Sequence, residues 1–563
     1  MRLSLAFSTR SLNAFLVAVA LASPALGADT FQLPAGAEHA AQQINAATIS
    51  APTRFLADDL LEGRGPATRG DQLARLYIAS FFETQGLQPG GPNGAWDQPV
   101  EMVGVKANAP KLWSFHGAKG DVDLAWWDDY IAGSGVQAPS AQIRDAELVF
   151  VGYGIQAPEY QWDDFKGADL KGKVLVMMNN DPDWDPKLFE GNRRLYYGRW
   201  TYKYESAARQ GAAGAIIIHT TPSAGYPWQV VQTSWSGEQF SLPAEGQPSI
   251  QVAAWATEAG MKKILATAGQ DLDKLVAAAR SRAFKPVPLG IKTSITLQNE
   301  VHQVRSGNVI GVLPGSDPKL KDEYVVFSAH HDHLGIGRPD AKGDAIYNGA
   351  LDNASGVGQL LAIVRAFKAL PQPPRRSILF VAFAAEEQGL LGSEYFARHP
   401  PVPAGRIAAN FNYDGGNIWG KTKDVVEIGR GKSDLDAVAD WAAARQGRTV
   451  EGDQFPDRGF FYRSDQFNLS KVGVPAVHFS EGTDFIGKPA GWGRATIEAW
   501  EKTHYHQPSD QIEPDWNWDG MIEDAQLGFY CGLIVADRDV MPQWKKGDEF
   551  EPARQKALAA TSR

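Results

Sequence analysis

Cysteine is nearly missing from this chain, with Cys531 standing alone among 563 residues. A single thiol closes no intramolecular disulfide, so the fold must rest on a hydrophobic core. Cys531 sits in the apolar run LGFYCGLIVA, where a buried, inert side chain is expected rather than a nucleophile. Positive charge is also short: 55 Lys and Arg stand against 65 Asp and Glu, for a formal net charge of −10. The phosphate attraction on which nucleic-acid binding depends is therefore absent. No internal repeat is found, and no GxSxG turn that would place a serine nucleophile. Beyond the extreme N-terminus no stretch is long and apolar enough to span a bilayer.

What is present is ordinary globular composition, 44% hydrophobic and 21% charged. At roughly 150 residues per domain, the length suggests three to four domains. Residues 1–27 contain Arg2, Arg10 and no acid, then the apolar run AFLVAVALA (14–22), then small residues at Ala25 and Gly27. This is the pattern of a secretory signal cut near Gly27; the run is shorter than the ~20 residues of a membrane span. No cysteine follows to carry a lipid. The expectation is an exported bacterial protein, periplasmic or secreted, free of the membrane once the signal is removed.

The remainder divides by texture. Residues 28–135 read as helix-rich: in DQLARLYIASFFETQG, Leu73, Leu76, Tyr77 and Phe81 recur at helical spacing, with Asp71 as cap and Gly86 as stop. Residues 136–284 alternate strand-like ELVFVGYGI, KVLVMMNND and GAIIIHT with helix-like YESAARQGA, and predict a smaller α/β insert without a catalytic role. Residues 285–545 carry short continuous apolar runs, YVVFS, SILFVAFA, IAANFNY, DVVEIG and VPAVHFS, separated by helical segments. Such runs predict an α/β fold with a mostly parallel central sheet covered by helices. A polar tail, 546–563, follows.

In sheets of this kind, ligands bind beyond the carboxyl ends of the strands. Three strand ends carry acids or histidines: AHHDHLG after YVVFS gives His330, His331, Asp332 and His333; SILFVAFAA is followed by Glu386 and Glu387; NFNY is followed by Asp414. NGALDNASGVG sets Asp352 before a helix with an apolar face of Val357, Leu360, Leu361, Val364 and Phe367, and HYHQPSD holds His504, His506 and Asp510. Singly these are a solvated loop, a surface acid pair and an N-cap. Together they are harder to dismiss, since five of the eleven histidines fall in AHHDH and HYH. Acids beside a buried strand also need positive charge to meet them. Imidazole and carboxylate donors suit zinc, and a bridging acid holds two ions ~3.5–4 Å apart.

The ordered set AHHD, GALDNASG, AAEEQGLLGS, NYDG and YHQPSD resembles metallopeptidase family twenty-eight, the co-catalytic zinc exopeptidases that include bacterial aminopeptidases and the glutamate carboxypeptidase group. RFLADDLLEGRGPATRGDQLARLYIASFFETQGLQPGG is similar to the family's N-terminal segment, and the insert resembles a protease-associated domain. The resemblance implies a zinc-exopeptidase fold with the N-terminal part of the peptidase domain at 28–135, a protease-associated insert at 136–284 and the catalytic domain at 285–545. It implies two zinc ions per chain: His330 and Asp414 on one, Glu387 and His506 on the other, Asp352 bridging. Glu386 matches the general base, and Asp332 the acid that orients the ligating imidazole. His331, His333 and His504 fall outside the family's ligand positions. Where the family often has Ser-Asp-His, this chain has Ser464, Asp465 and Gln466.

The implied activity is removal of N-terminal residues from peptide substrates. Three alternatives stay open: a carboxypeptidase for acidic C-termini, for which Arg430, Arg458 and Arg463 are available; glutaminyl cyclisation by acyl transfer; and a non-catalytic binding ectodomain. Tyr505, next to His506, stands either at the substrate oxyanion or in packing. The aromatics of GFFYRSDQF line a pocket or join the core.

Overall fold

The structure, a computed structural model, describes residues 31–561; the expected signal, 1–27, lies outside them. Helix α1 (Ala46–Leu56) starts at a capping box between Asn45 and Thr48, and α2 spans Arg69–Thr84. The helix predicted there is present, but its cap and buried face differ from expectation. Thr68 is the N-cap, with Oγ1 accepting from Asp71 N, and the buried stripe runs through Ala74, Ile78 and Phe82. Leu76 is 65% exposed. The large side chains drew the predicted stripe one residue off, because Ala74 is small enough to pack close yet adds little to a hydrophobic pattern.

Helical texture ends at Thr84, which corrects the expectation of a helix-rich stretch to 135. Strands β1 (Asp97–Asn108), β2 (Leu112–Gly117), β3 (Gly120–Ala125) and β4 (Tyr130–Ser134) follow. The β2–β3 hairpin pairs Gly117 with Gly120 across a two-residue turn, a turn length suited to small residues. Next come β5 (Ser140–Phe150), β6 (Val174–Met178), α3 (Trp200–Arg209), β7 (Gly214–His219), α4 (Trp228–Ser234) and β8 (Val252–Thr257). Strands β5, β6, β7 and β8 are mutually parallel in that order, and β4 closes antiparallel on β8. This α/β lobe thus recruits β2 to β4, from before residue 136.

Strand β9 (Val287–Leu313) is 27 residues long. It pairs antiparallel with β5 and β2 at its start, with β1 in its middle, and with β11 at its end. The second sheet region holds β10 (Tyr324–His330), β11 (Ser377–Phe383), β12 (Ile407–Tyr413), β13 (Asp424–Ile428), β14 (Thr449–Gly452) and β15 (Ala476–Glu481), with α5 (Gly356–Ala369) between β10 and β11. Strands β11, β10, β12 and β15 lie parallel in that spatial order; β13 runs antiparallel to β15, and β14 parallel to β13. The five predicted runs are all strands, and every residue of β11 and β12 is buried.

Continuous burial follows from cover on both faces. On one face Phe327 stacks between Phe380 and Phe411, under Phe367 of α5 and Phe529 of α7 (Asp519–Asp537) once α6 (Trp492–Thr503) has been passed. On the other face Val326, Leu379, Val381 and Phe383 meet Phe396 and Leu469. The predicted face of α5 is entirely buried. The tail expected to be merely polar forms α8 (Glu551–Thr561), docked through buried Arg554, whose Nη1 donates to Ile407 O at 2.8 Å. Cys531 is buried in α7, which pushes its thiol pKa well above the ordinary value. No helix among the described residues is long and apolar enough to cross a membrane.

Candidate metal centre

Four strand or helix ends converge at the carboxyl edge of the parallel strands. His330 is the last residue of β10, Asp414 directly follows β12, Glu386 and Glu387 lie just past β11, and Asp352 occupies a wide turn before α5. His506 sits after α6 at φ +56°. The turn starts at Gly349, also φ +56°, where an added Cβ would stand 2.2 Å from Asp352 O and 2.4 Å from the His333 ring; only glycine fits there. Asp510 holds the same turn, its carboxylate accepting from Leu351 N and Asp352 N at 2.9 and 3.0 Å. Asn353 ties it to β12, donating to Tyr413 O and accepting from Gly415 N.

The side chains meet in a definite pattern. Asp352 Oδ1 lies 3.2 Å from His330 Nε2, and Asp352 Oδ2 lies 3.3 Å from His506 Nε2. His330 Nε2 is also 3.3 Å from Asp414 Oδ1 and 3.9 Å from Glu386 Oε2. Glu387 Oε2 is 3.0 Å from His506 Nε2, while its Oε1 is 2.7 Å from His333 Nδ1. Donor atoms of His330, Asp352 and Glu387, and of His330, Glu386 and Asp414, form two groups each within 4.8 Å.

Asp332 acts one layer out. Its carboxylate accepts from Glu386 N at 3.0 Å, and its carbonyl oxygen, 3.2 Å away, is nearer His330 Nδ1 than its carboxylate at 3.6 Å. Of the histidines set aside in the sequence, His333 touches Glu387, and His331 instead pairs with buried Asp71 at 2.9 Å. His504 stacks on Trp500 and bonds Thr503, away from the cluster. Gln466 is structural, accepting from Asn412 Nδ2 and donating to Phe461 O.

The charge balance fits a cation. Burial opposes a charged His330, yet Glu386 and Asp414 outweigh it and hold the imidazole pKa well above 6.5. Burial, with Asp414 and Glu387 nearby and His330 opposing, lifts the Glu386 carboxyl well above 4.5. Carboxylates packed this closely must take up protons or a cation. His506 Nε2 is buried with no hydrogen-bond partner of adequate geometry, facing two carboxylates. An orphaned imidazole nitrogen amid oxygen donors suits zinc.

The cluster floors a cleft of about 230 Å³. One wall comes from the α/β lobe, with Arg199, Trp200, Tyr226, Ser234 and Trp235; the other comes from Trp419, Phe455, Phe460, Trp500 and Tyr505. Phe461 and Tyr462 are core. Arg463 lines the cleft, its Nη2 donating to Tyr505 Oη at 3.0 Å. Arg430 and Arg458 do not line it: Arg430 pairs with Glu427 and Asp440, and Arg458 with Glu501 and Glu498.

Residues 308–529 match the model of peptidase family M28. Over that segment the chain is similar to peptidase family M28. All five candidate ligands and Glu386 fall inside the matched M28 segment. Aminopeptidase YwaD of Bacillus subtilis (strain 168) is 26% identical over 388 residues, 68% of this chain and 65% of that protein. A probable zinc metalloprotease of Pyrenophora teres f. teres (strain 0-1) is 36% identical over 114 residues, 20% of this chain and 23% of that one. The match thus spans under two thirds of the one and under a quarter of the other. An aminopeptidase from Aneurinibacillus sp. strain AM-1 shares the fold, with a TM-score of 0.53 at 19% identity over 90% of this chain and 97% of that chain.

Proximity in sequence signalled most of the candidate centre. Ser234, Arg199, Asp71 and Arg64 carried no such signal, because each reaches the site from a distant segment. Arg64 is fully buried and donates to Leu56 O, His331 O, Asn348 O and Gly349 O at 2.5–2.9 Å.

Proposed function

We propose that the chain is an exported zinc-dependent exopeptidase, an aminopeptidase acting on the N-termini of peptides. The observation that carries this reading is Asp352, which offers one oxygen to each of two histidines. In this assignment His330 and Asp414 would hold one zinc ion and Glu387 and His506 the other, with Asp352 serving both. When bound, zinc would supply Lewis acidity to polarise the scissile carbonyl and to activate the attacking water. Glu386, whose carboxylate lies beside the His330 and Asp414 donors and is assigned here as the base rather than a ligand, would receive the proton of the attacking water and return it to the leaving amine. Arg463 donates to Tyr505 Oη, which leaves the Tyr505 proton free to face the substrate oxyanion. The α/β lobe acts as a protease-associated insert that narrows the mouth and favours chain ends.

The test is metal content together with turnover of amino-acid amides against N-acylated counterparts. An aminopeptidase prefers the free amine; equal rates on blocked substrates count against it.

A second reading is favoured by one observation. Arg199 and Arg463 both line the cleft, and among the described residues neither forms an ion pair with a carboxylate. Burial, with Arg463 nearby, pushes the Arg199 guanidinium down to about 10, and its Nε has no hydrogen-bond partner. A half-buried guanidinium without an ion-pair partner is costly unless an anion meets it. A substrate carboxylate fits, as on a dipeptide or an acidic C-terminus. Hydrolysis of N-acyl dipeptides that is lost in Arg199→Gln would select this reading.

A further inference from the structure

Both candidate histidines turn Nε2 toward the carboxylates, so in the neutral ring the proton must reside on Nδ1. For His330 the acceptor for that proton is local, the carbonyl of Asp332 at 3.2 Å. For His506 it comes from the other lobe: Ser234 Oγ, at the end of α4, lies 2.7 Å from His506 Nδ1 and 272 residues away in sequence. The same helix has a second grip on this segment, since Gln229 Nε2 donates to Lys502 O at 2.7 Å. Helix α4 is itself anchored, with Trp228 Nε1 and Gln232 Nε2 both donating to Trp127 O at 3.0 and 2.9 Å.

His506 needs such support. Its φ of +56° is in the left-handed region, which a side chain bearing Cβ adopts only when its surroundings enforce it. Tyr505 packs on the ring from one side, with centroids 3.9 Å apart, and His333 meets it edge-on at 5.6 Å. Of these neighbours only Ser234 makes a hydrogen bond to the ring that fixes the tautomer.

We infer that Ser234 is a positioning residue for the metal centre: by accepting from His506 Nδ1 it makes the α/β lobe part of the machinery that retains one of the two ions. The lobe therefore does more than cover the cleft. This inference rests on the ligand assignment proposed above, and it is asymmetric, because among the described residues His330 Nδ1 meets the local Asp332 O and makes no hydrogen bond to the lobe.

The experiment is chelator competition on the full-length protein, reading zinc affinity at each site for wild type, Ser234→Ala and Ser234→Thr. Thermal midpoints of the metal-free forms are read alongside. Loss of an outer contact to a ligating histidine typically costs ~10–100-fold in metal affinity. Ser234→Ala is expected to weaken one ion by that factor and leave the other unchanged. Ser234→Thr, which keeps the hydroxyl, should recover most of the loss, and the metal-free midpoints should coincide. Equal weakening of both ions, wild-type affinity in Ser234→Ala, or a lower metal-free midpoint would each overturn the inference. A wild-type protein that binds no zinc would instead overturn the metal-centre reading itself.

Discussion

Glu386 and Glu387 are neighbours in the chain but face different histidines. Glu386 Oε2 stands 3.9 Å from His330 Nε2, and Glu387 Oε2 stands 3.0 Å from His506 Nε2. Glu387 is further engaged by His333, whereas among the described residues the Glu386 carboxylate forms no hydrogen bond or ion pair that short. Replacing each by Gln should therefore have different consequences. Glu386→Gln should lower turnover ~10²–10⁴-fold with metal retained; Glu387→Gln should lose metal as well. Zinc content and turnover measured side by side check this, and the reverse pattern would exchange the two roles.

Metal removal should act on the fold as well as on rate. Purified protein is expected to carry close to two zinc ions per chain. Stripping them leaves Asp352, Glu386, Glu387 and Asp414 facing one another, so the melting temperature should fall and recover on zinc addition. A stoichiometry near one with full activity would contradict the paired assignment.

Arg64 is expected to be a stability position. Arg64→Met leaves the carbonyl oxygens of Leu56, His331 and Asn348 without this donor, while Gly349 O keeps Ala354 N, and an unsatisfied buried acceptor costs ~1–3 kcal/mol. A loss on the order of 3 kcal/mol or more is expected in urea unfolding of the metal-free protein. A change within error would show that water replaces the guanidinium.

His219 gives a pH signature outside the metal centre. Burial lowers its pKa from 6.5 to about 4, and its Nε2 lies 3.1 Å from Tyr226 O. Between those values the unfolded chain binds the proton and the folded chain does not, so this contribution is full above pH 6.5 and fades as pH falls toward 4. His219→Gln should flatten that part of the stability profile, as measured by unfolding midpoints from pH 4 to 7.

The sheet that bears the centre was legible because β10, β11 and β12 are apolar along their whole length, and residues that break such runs stand out at their ends. His330, Glu386 and Asp414 were readable for that reason. Strands β1 to β4 were not recognised: in β1 the alternation of buried Gln98 and Val100 with half-buried Asp97 and Pro99 mixes polar and apolar residues on both faces. Contacts such as Ser234 with His506, or Asp71 with His331, join residues more than 250 positions apart. They depend on how the lobes dock, and no local pattern encodes them. The cap assigned to Asp71 shows the same limit, since its carboxylate meets Ser306, His331 and Arg75 rather than the first-turn amides of its helix.

Strand β9 belongs to both sheet regions at once. Excising residues 136–284 to isolate the peptidase half would strip β5 from the first part of that strand and leave a bare ribbon of unpaired amides and carbonyls. Such an edge is a template for intermolecular pairing, so a shortened protein of this kind should precipitate rather than work as a trimmed enzyme. Separating the halves would require cutting within β9 itself.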